Sequence, residues 1–151
     1  IDATSPYEEP GLEPHVEHLA PVSFKGEAME WAAERLTASG GLVTATLVIE
    51  DASIVKEDLK TDQGLTGAFK TEQAERYTAS VRARVEIREA SGAQRGVASA
   101  FAQRSSTLPE DRTLIDQERL LHGLIADSLA DLDRQMEQAI RDNLLRYVVR
   151  Q

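Results

Sequence analysis

Residues 77–89, YTASVRARVEIRE, alternate without a break. Tyr77, Ala79, Val81, Ala83, Val85 and Ile87 fall on one face of an extended chain, and Thr78, Ser80, Arg82, Arg84, Glu86 and Arg88 on the other. Strand side chains point to opposite faces with a period of two, so this segment buries one face and wets the other. A strand of that kind belongs to an antiparallel sheet covered on one side only. ASGAQ (90–94) supplies a turn, and RGVASAFAQRSS (95–106) returns as the hairpin partner. LVTATLVIEDASIV (42–55) is a third strand, with Val43, Ala45, Leu47 and Ile49 facing one way. Its apolar phase then shifts to Ala52 and Ile54, which predicts a bulge or bend near Asp51.

Two helices are available to cover the apolar face. Ser23 can cap a helix to about Ala38, with Met29, Ala32, Ala33 and Leu36 as its stripe, Trp31 on the flank and SGG (39–41) as its stop. Thr113 and Asp116 form a capping pair for a longer helix reaching about Val149. Its stripe is Leu121, Ile125, Leu129, Leu132, Met136, Ile140, Leu144 and Val148. Upstream, Pro6, Pro10, Pro14 and Pro21 withhold backbone donors and favour extended chain, with room for a short strand. The expected fold is α+β: a curved antiparallel sheet of three to four strands with two helices on one face, the C-terminal one long. Residues 1–22 form an extended arm, and 23–151 a single domain long enough to bury a core without staples.

Charge and composition narrow the function classes. The chain carries a net −9, of which −8 falls in residues 1–60, so it repels a phosphate backbone and nucleic acid is not expected as a partner. There are no cysteines, which removes disulfides, thiolate nucleophiles and Cys-based metal sites. His15 and His18, in EPHVEHLAPV, are the candidate metal ligands, with Glu13, Glu17 and His122 nearby in type. Zinc needs three or four ligands, HVEH lacks the HExxH spacing, and the flanking prolines disfavour a rigid helix. The plainer expectation is an extended lead-in whose histidines are hydrogen-bonded or exposed. No GxSxG elbow is present, and GLTGAF (64–69) lacks the GK[ST] ending of a phosphate loop. No catalytic residue and no cofactor are expected.

Two surfaces remain as candidates for partner binding. The 56–76 connection is longer than a hairpin needs, and it strands Leu65 and Phe69 among polar residues. Those two either cover a sheet edge or form a binding tip. Arg82, Arg84 and Arg88 make a basic stripe on an acidic chain, which Arg76, Arg95 and Arg104 extend if the strands neighbour one another. The stripe is either a solvated face or a site for an anionic group or acidic partner.

PHVEHLAPVSFKGEAMEWAAERL, GLTGAFKTEQAERY and DLDRQMEQAIRDNLLRYVV, together spanning about residues 13–149, resemble a family of uncharacterised lipoproteins of the proteobacterial envelope. The helix–strands–helix order is also similar to the lipopolysaccharide-assembly lipoprotein and to auxiliary lipoproteins of ABC transporters. The resemblance implies a periplasmic accessory or assembly domain, with an envelope protein complex or transporter component as partner. It also implies a membrane attachment made only through a lipid, on a cysteine lost ahead of Ile1. The residues leave two other readings open. One is a small-molecule or lipid binder with a pocket between sheet and long helix; the other is a metal-dependent enzyme using His15 and His18.

Overall fold

The computed structural model describes residues 2–37, 41–59 and 73–149. In chain order the elements are β1 (Asp2–Thr4), α1 (Phe24–Arg35), β2 (Val43–Asp58), β3 (Gln73–Glu89), β4 (Gln94–Pro109) and α2 (Leu114–Asn143). The four strands form one sheet in the order β1-β2-β3-β4. β1 runs parallel to β2, and the other neighbours are antiparallel. The result is the expected α+β architecture. No helix among the described residues is long and apolar enough to cross a membrane.

The sheet keeps one apolar face through a register change. Ile49 pairs with Ala83 and Asp51 with Arg82, so a bulge falls where the apolar phase slips. Leu47 and Ile49 before it, and Ala52 and Ile54 after it, are therefore all buried on the same side. The strands run longer than their patterns suggest, to Asp58 and from Gln73, and Leu59 N–H still donates to Ala74 O at 2.7 Å. The connection between them is correspondingly shorter than 56–76.

Across the β3–β4 ladder, Val81, Ala83 and Val85 face Ala102, Ala100 and Ala98. These alanines leave a shallow bed, and α2 lies along β4 and β3 while α1 rests on β2. α2 buries Leu121, Leu124, Ile125, Ser128, Leu132 and Met136, a three-and-four spacing close to the expected stripe. Leu124 and Ser128 take inward places, whereas Leu129 and Ile140 sit only half-buried. Its Thr113–Asp116 capping box is complete. The helix ends at Asn143 and not near Val149. Leu144 turns down onto the sheet, where it is 2 % exposed, and Leu145–Tyr147 form a single 3-10 turn. Gly96 makes room for this: a Cβ there would stand 2.5 Å from Leu144 Cδ2.

α1 begins as expected, with Ser23 Oγ accepting from Gly26 N–H at 3.0 Å. It buries Phe24, Ala28 and Ala32 toward the sheet, while Ala33, expected inward, is exposed. The stripe is rotated because Phe24, the bulkiest residue of the first turn, anchors the buried row at i, i+4 and i+8.

The N-terminal arm packs on its own domain. β1 pairs with Thr46–Val48, Ser5 Oγ donates to Ile49 O at 3.1 Å, and His15 bridges Val55. Val16 N–H donates to Ile54 O, and Lys56 N–H to Pro14 O, both at 2.9 Å. The edge of β2 that faces away from β3 is thereby sealed by the chain itself, which removes a template for unwanted strand pairing.

Candidate functional site

A trough of about 980 Å³ lies between the two helices, at the end of the sheet where β2 begins and β3 finishes. Its size lies at the upper end of the roughly 300–1,000 Å³ spanned by small-molecule sites. Ala45 and Leu47 of β2 and Val85 and Ile87 of β3 make the floor. Met136, Ile140 and Leu144 form one wall, and Trp31, Leu36 and Thr37 the other. The trough exists because the inner faces of β2 and β3 are apolar beyond the point where α1 ends at Arg35. Leu145, Tyr147, Val148 and Val149, which follow α2, line the mouth. Leu145 is 52 % and Val149 64 % exposed, so the apolar lining continues out to the surface.

A chain of polar contacts ties the two walls together. Trp31 Nε1–H donates to Asp133 Oδ1 at 2.9 Å, and Arg35 also pairs with Asp133. Arg35 approaches Glu137 at 3.8 Å, and Glu137 pairs with Arg141 one turn on. Two acids and two bases match one another here. The trough thus offers hydrocarbon-like burial beneath a neutralised polar bridge, with no nucleophile–base pair among its described lining residues.

His15 and His18 are not brought into a metal centre. His15 Nδ1 lies 3.1 Å from Glu17 Oε1, while His18 is exposed on a 3-10 turn. Among the described residues no group of three or more metal-ligating side chains is present. Glu17 is instead the hub of the arm. It is 2 % exposed, and its Oε1 accepts from Tyr7 O–H at 2.6 Å and from Ile54 N–H at 3.1 Å. Burial alone would push its carboxyl up, but the donors of Tyr7, His15 and the backbone outweigh burial and hold it below the ordinary value. The Tyr7 phenol is pushed up, first by burial and then by the Glu17 carboxylate it donates to. His122 is exposed on α2.

The arginine stripe lies on the open face of the sheet, and most of it is already paired. Glu86, only 8 % exposed, holds Arg84 at 3.0 Å and Arg88 at 2.9 Å, and Glu50 lies 3.4 Å from Arg84. Arg76 pairs with Glu57, and Arg95 with Glu89. Arg104 does not extend the stripe. It shares the inner-face register of Ala102 and Ala100 and pairs with Asp131 of α2. Arg82 differs, with its guanidinium 4.9 Å above the ring of Phe101 and no carboxylate partner among the described residues. Leu65 and Phe69 lie outside the described residues.

A second polar cluster, missed by the sequence reading, closes the opposite end of the sheet. Tyr77 O–H donates to Glu75 Oε2 at 2.6 Å and accepts from Gln117 Nε2 at 2.8 Å, while Arg112 reaches Glu75 Oε1 at 2.8 Å. Lys56 stands 3.3 Å from Glu13 and 3.9 Å from Glu75. Burial, and then donation to Glu75, push the Tyr77 phenol up. The cluster joins arm, β2, β3 and α2 and is satisfied from within, as a structural network should be. Alternation puts Tyr77 on the apolar face, which is the one signal that its hydroxyl needed a buried partner. No family model matches the chain, and no curated protein matches it either.

Proposed function

We propose that this chain is a non-enzymatic binding domain of the cell envelope whose working feature is the trough between α1 and α2. The observation that carries the reading is a cavity of about 980 Å³ with an apolar floor and an apolar mouth that continues to the surface. The trough supports the reading of a binder with a pocket between sheet and long helix, and the resemblance in the sequence supports an accessory role in an envelope assembly or transporter. Titration with a fluorescent apolar probe, N-phenyl-1-naphthylamine, tests it. The wild-type chain is expected to enhance probe emission, and Ala45→Trp, which fills the floor, to abolish the enhancement with the fold intact by circular dichroism. Equal enhancement by a correctly folded Ala45→Trp chain would remove the trough from consideration.

A second reading, docking of an acidic partner on the open sheet face, is favoured by Arg82. Stacking on Phe101 fixes its guanidinium while leaving N–H edges free. Pull-downs from envelope extracts with Arg82→Ala, and separately with Leu65→Asp and Phe69→Asp, test that face and the 64–69 segment. Unchanged capture by all three folded variants would sink it.

A further inference from the structure

We infer that the trough takes an uncharged amphiphile, one alkyl chain ending in a hydroxyl-bearing head such as that of a fatty alcohol. The inference rests on the trough being a binding site and adds the class of its ligand. Among the described lining residues the charged side chains are Arg35, Asp133, Glu137 and Arg141, two bases and two acids. Asp133 is met by Arg35 and by Trp31 Nε1–H, and Glu137 by Arg141. An ionised head group would enter as an unmatched charge beside an apolar floor, where burial of an unpaired ion is costly.

One place in the polar bridge is open. Arg35 NH2 and Glu137 Oε2 stand 3.8 Å apart, attracted by charge but beyond hydrogen-bond distance. Both side chains line the trough and both are half-exposed, so this gap lies at the rim above the floor. A hydroxyl both donates and accepts, so it can donate to Glu137 and accept from Arg35 at once. A carboxylate only accepts and meets Glu137 as a like charge, and an ammonium meets Arg35 in the same way. The alkyl chain then lies on Ala45, Leu47, Val85 and Ile87. A hydrocarbon without the hydroxyl would leave the gap unused. The net −9 of the chain by itself favours a cation over a neutral ligand, so rejection of both ions is the signature of the local match.

Trp31 is the only tryptophan of the chain and lines the trough, so its emission reports occupancy. Titration at neutral pH with decanol, decanoate and decylammonium, each below its solubility limit, tests the assignment. The wild-type chain is expected to bind decanol about tenfold tighter than either ion, the scale of one group left unpaired. Glu137→Gln leaves the bases in excess and should bring decanoate level with decanol or ahead of it. Arg35→Gln leaves the acids in excess and should do the same for decylammonium. Both positions are half-exposed, so the variants should fold, which circular dichroism checks. Wild-type affinity for either ion equal to that for decanol would overturn the uncharged class while leaving the trough as a binding site. A ranking unchanged in both folded variants would overturn the placing of the head group at the bridge. Failure of all three ligands to bind would overturn the trough reading as well.

Discussion

Glu17 Oε1 and the amide of Ile54 meet at 3.1 Å, so a side chain occupies a place on the β2 edge that a neighbouring strand would otherwise fill. Because Tyr7 and His15 converge on the same oxygen, one carboxylate fixes the route of the arm. Glu17→Ala would leave the Ile54 amide and the Tyr7 hydroxyl without their acceptor. A loss of about 2–4 kcal/mol is expected, read as a lower urea midpoint at unchanged slope.

The same carboxylate makes a pH prediction. Its folded pKa is depressed below the ordinary 4.5. A depressed carboxyl contributes stability that is fully present above its unfolded pKa and is lost as pH falls through the folded value. The advantage of wild type over Glu17→Gln should therefore be constant above about pH 5 and shrink progressively below 4.5. Urea midpoints of the two chains across pH 3–7 provide the check.

Ser128 is fully buried in the middle of α2, and its Oγ has no hydrogen-bond partner among the described residues. Ser128→Ala removes an unpaired hydroxyl at almost no cost in volume. A gain of about 0.5–1 kcal/mol is expected, or a rise in Tm of roughly 1–4 °C by calorimetry.

Gly96 should be sensitive to substitution although its backbone conformation is ordinary. Leu144 Cδ2 would stand 2.5 Å from an added Cβ, and Leu144 is itself buried. Gly96→Val should cost about 1–3 kcal/mol, the usual range for overpacking. Displacing Leu144 and Tyr147 also deforms the trough, so probe binding should weaken by more than the loss of stability alone explains.

Removing the charge of Glu86 should uncover the arginine stripe. With Glu86→Gln, Arg84 and Arg88 lose their shared partner while remaining on the open face. Retention on an anionic chromatography matrix should increase, and because Glu86 is buried while both arginines are substantially exposed, a stability loss of about 1–3 kcal/mol is expected in urea midpoints.

What was legible in the sequence follows from the range of the forces involved. The alternation of 77–89 and the phase slip at Asp51 could be read directly, since burial and side-chain direction share one short period. The caps at Ser23 and Thr113 were equally local. The end of α2 was not, because Leu144 and Val148 continue the apolar spacing although the notch at Gly96 draws Leu144 out of the helix. Glu17 reads, in sequence, as one acid beside two histidines; its role depends on Ile54, 37 positions away. A pocket between sheet and long helix was one of several readings the sequence left open, and the trough's place depends on where α1 stops relative to the sheet, which no periodicity encodes.

The sealed edge of β2 has a consequence for assembly. Among the described strands, β4 is the only long one that borders no other on its far side, since the opposite margin ends in the three residues of β1. Among the described strands, a copy of this chain that extends the sheet along a long strand does so at β4, and a pair joined there presents β1 margins outward. Such growth among the described strands stops at two copies, because the three-residue β1 offers little edge to a further strand.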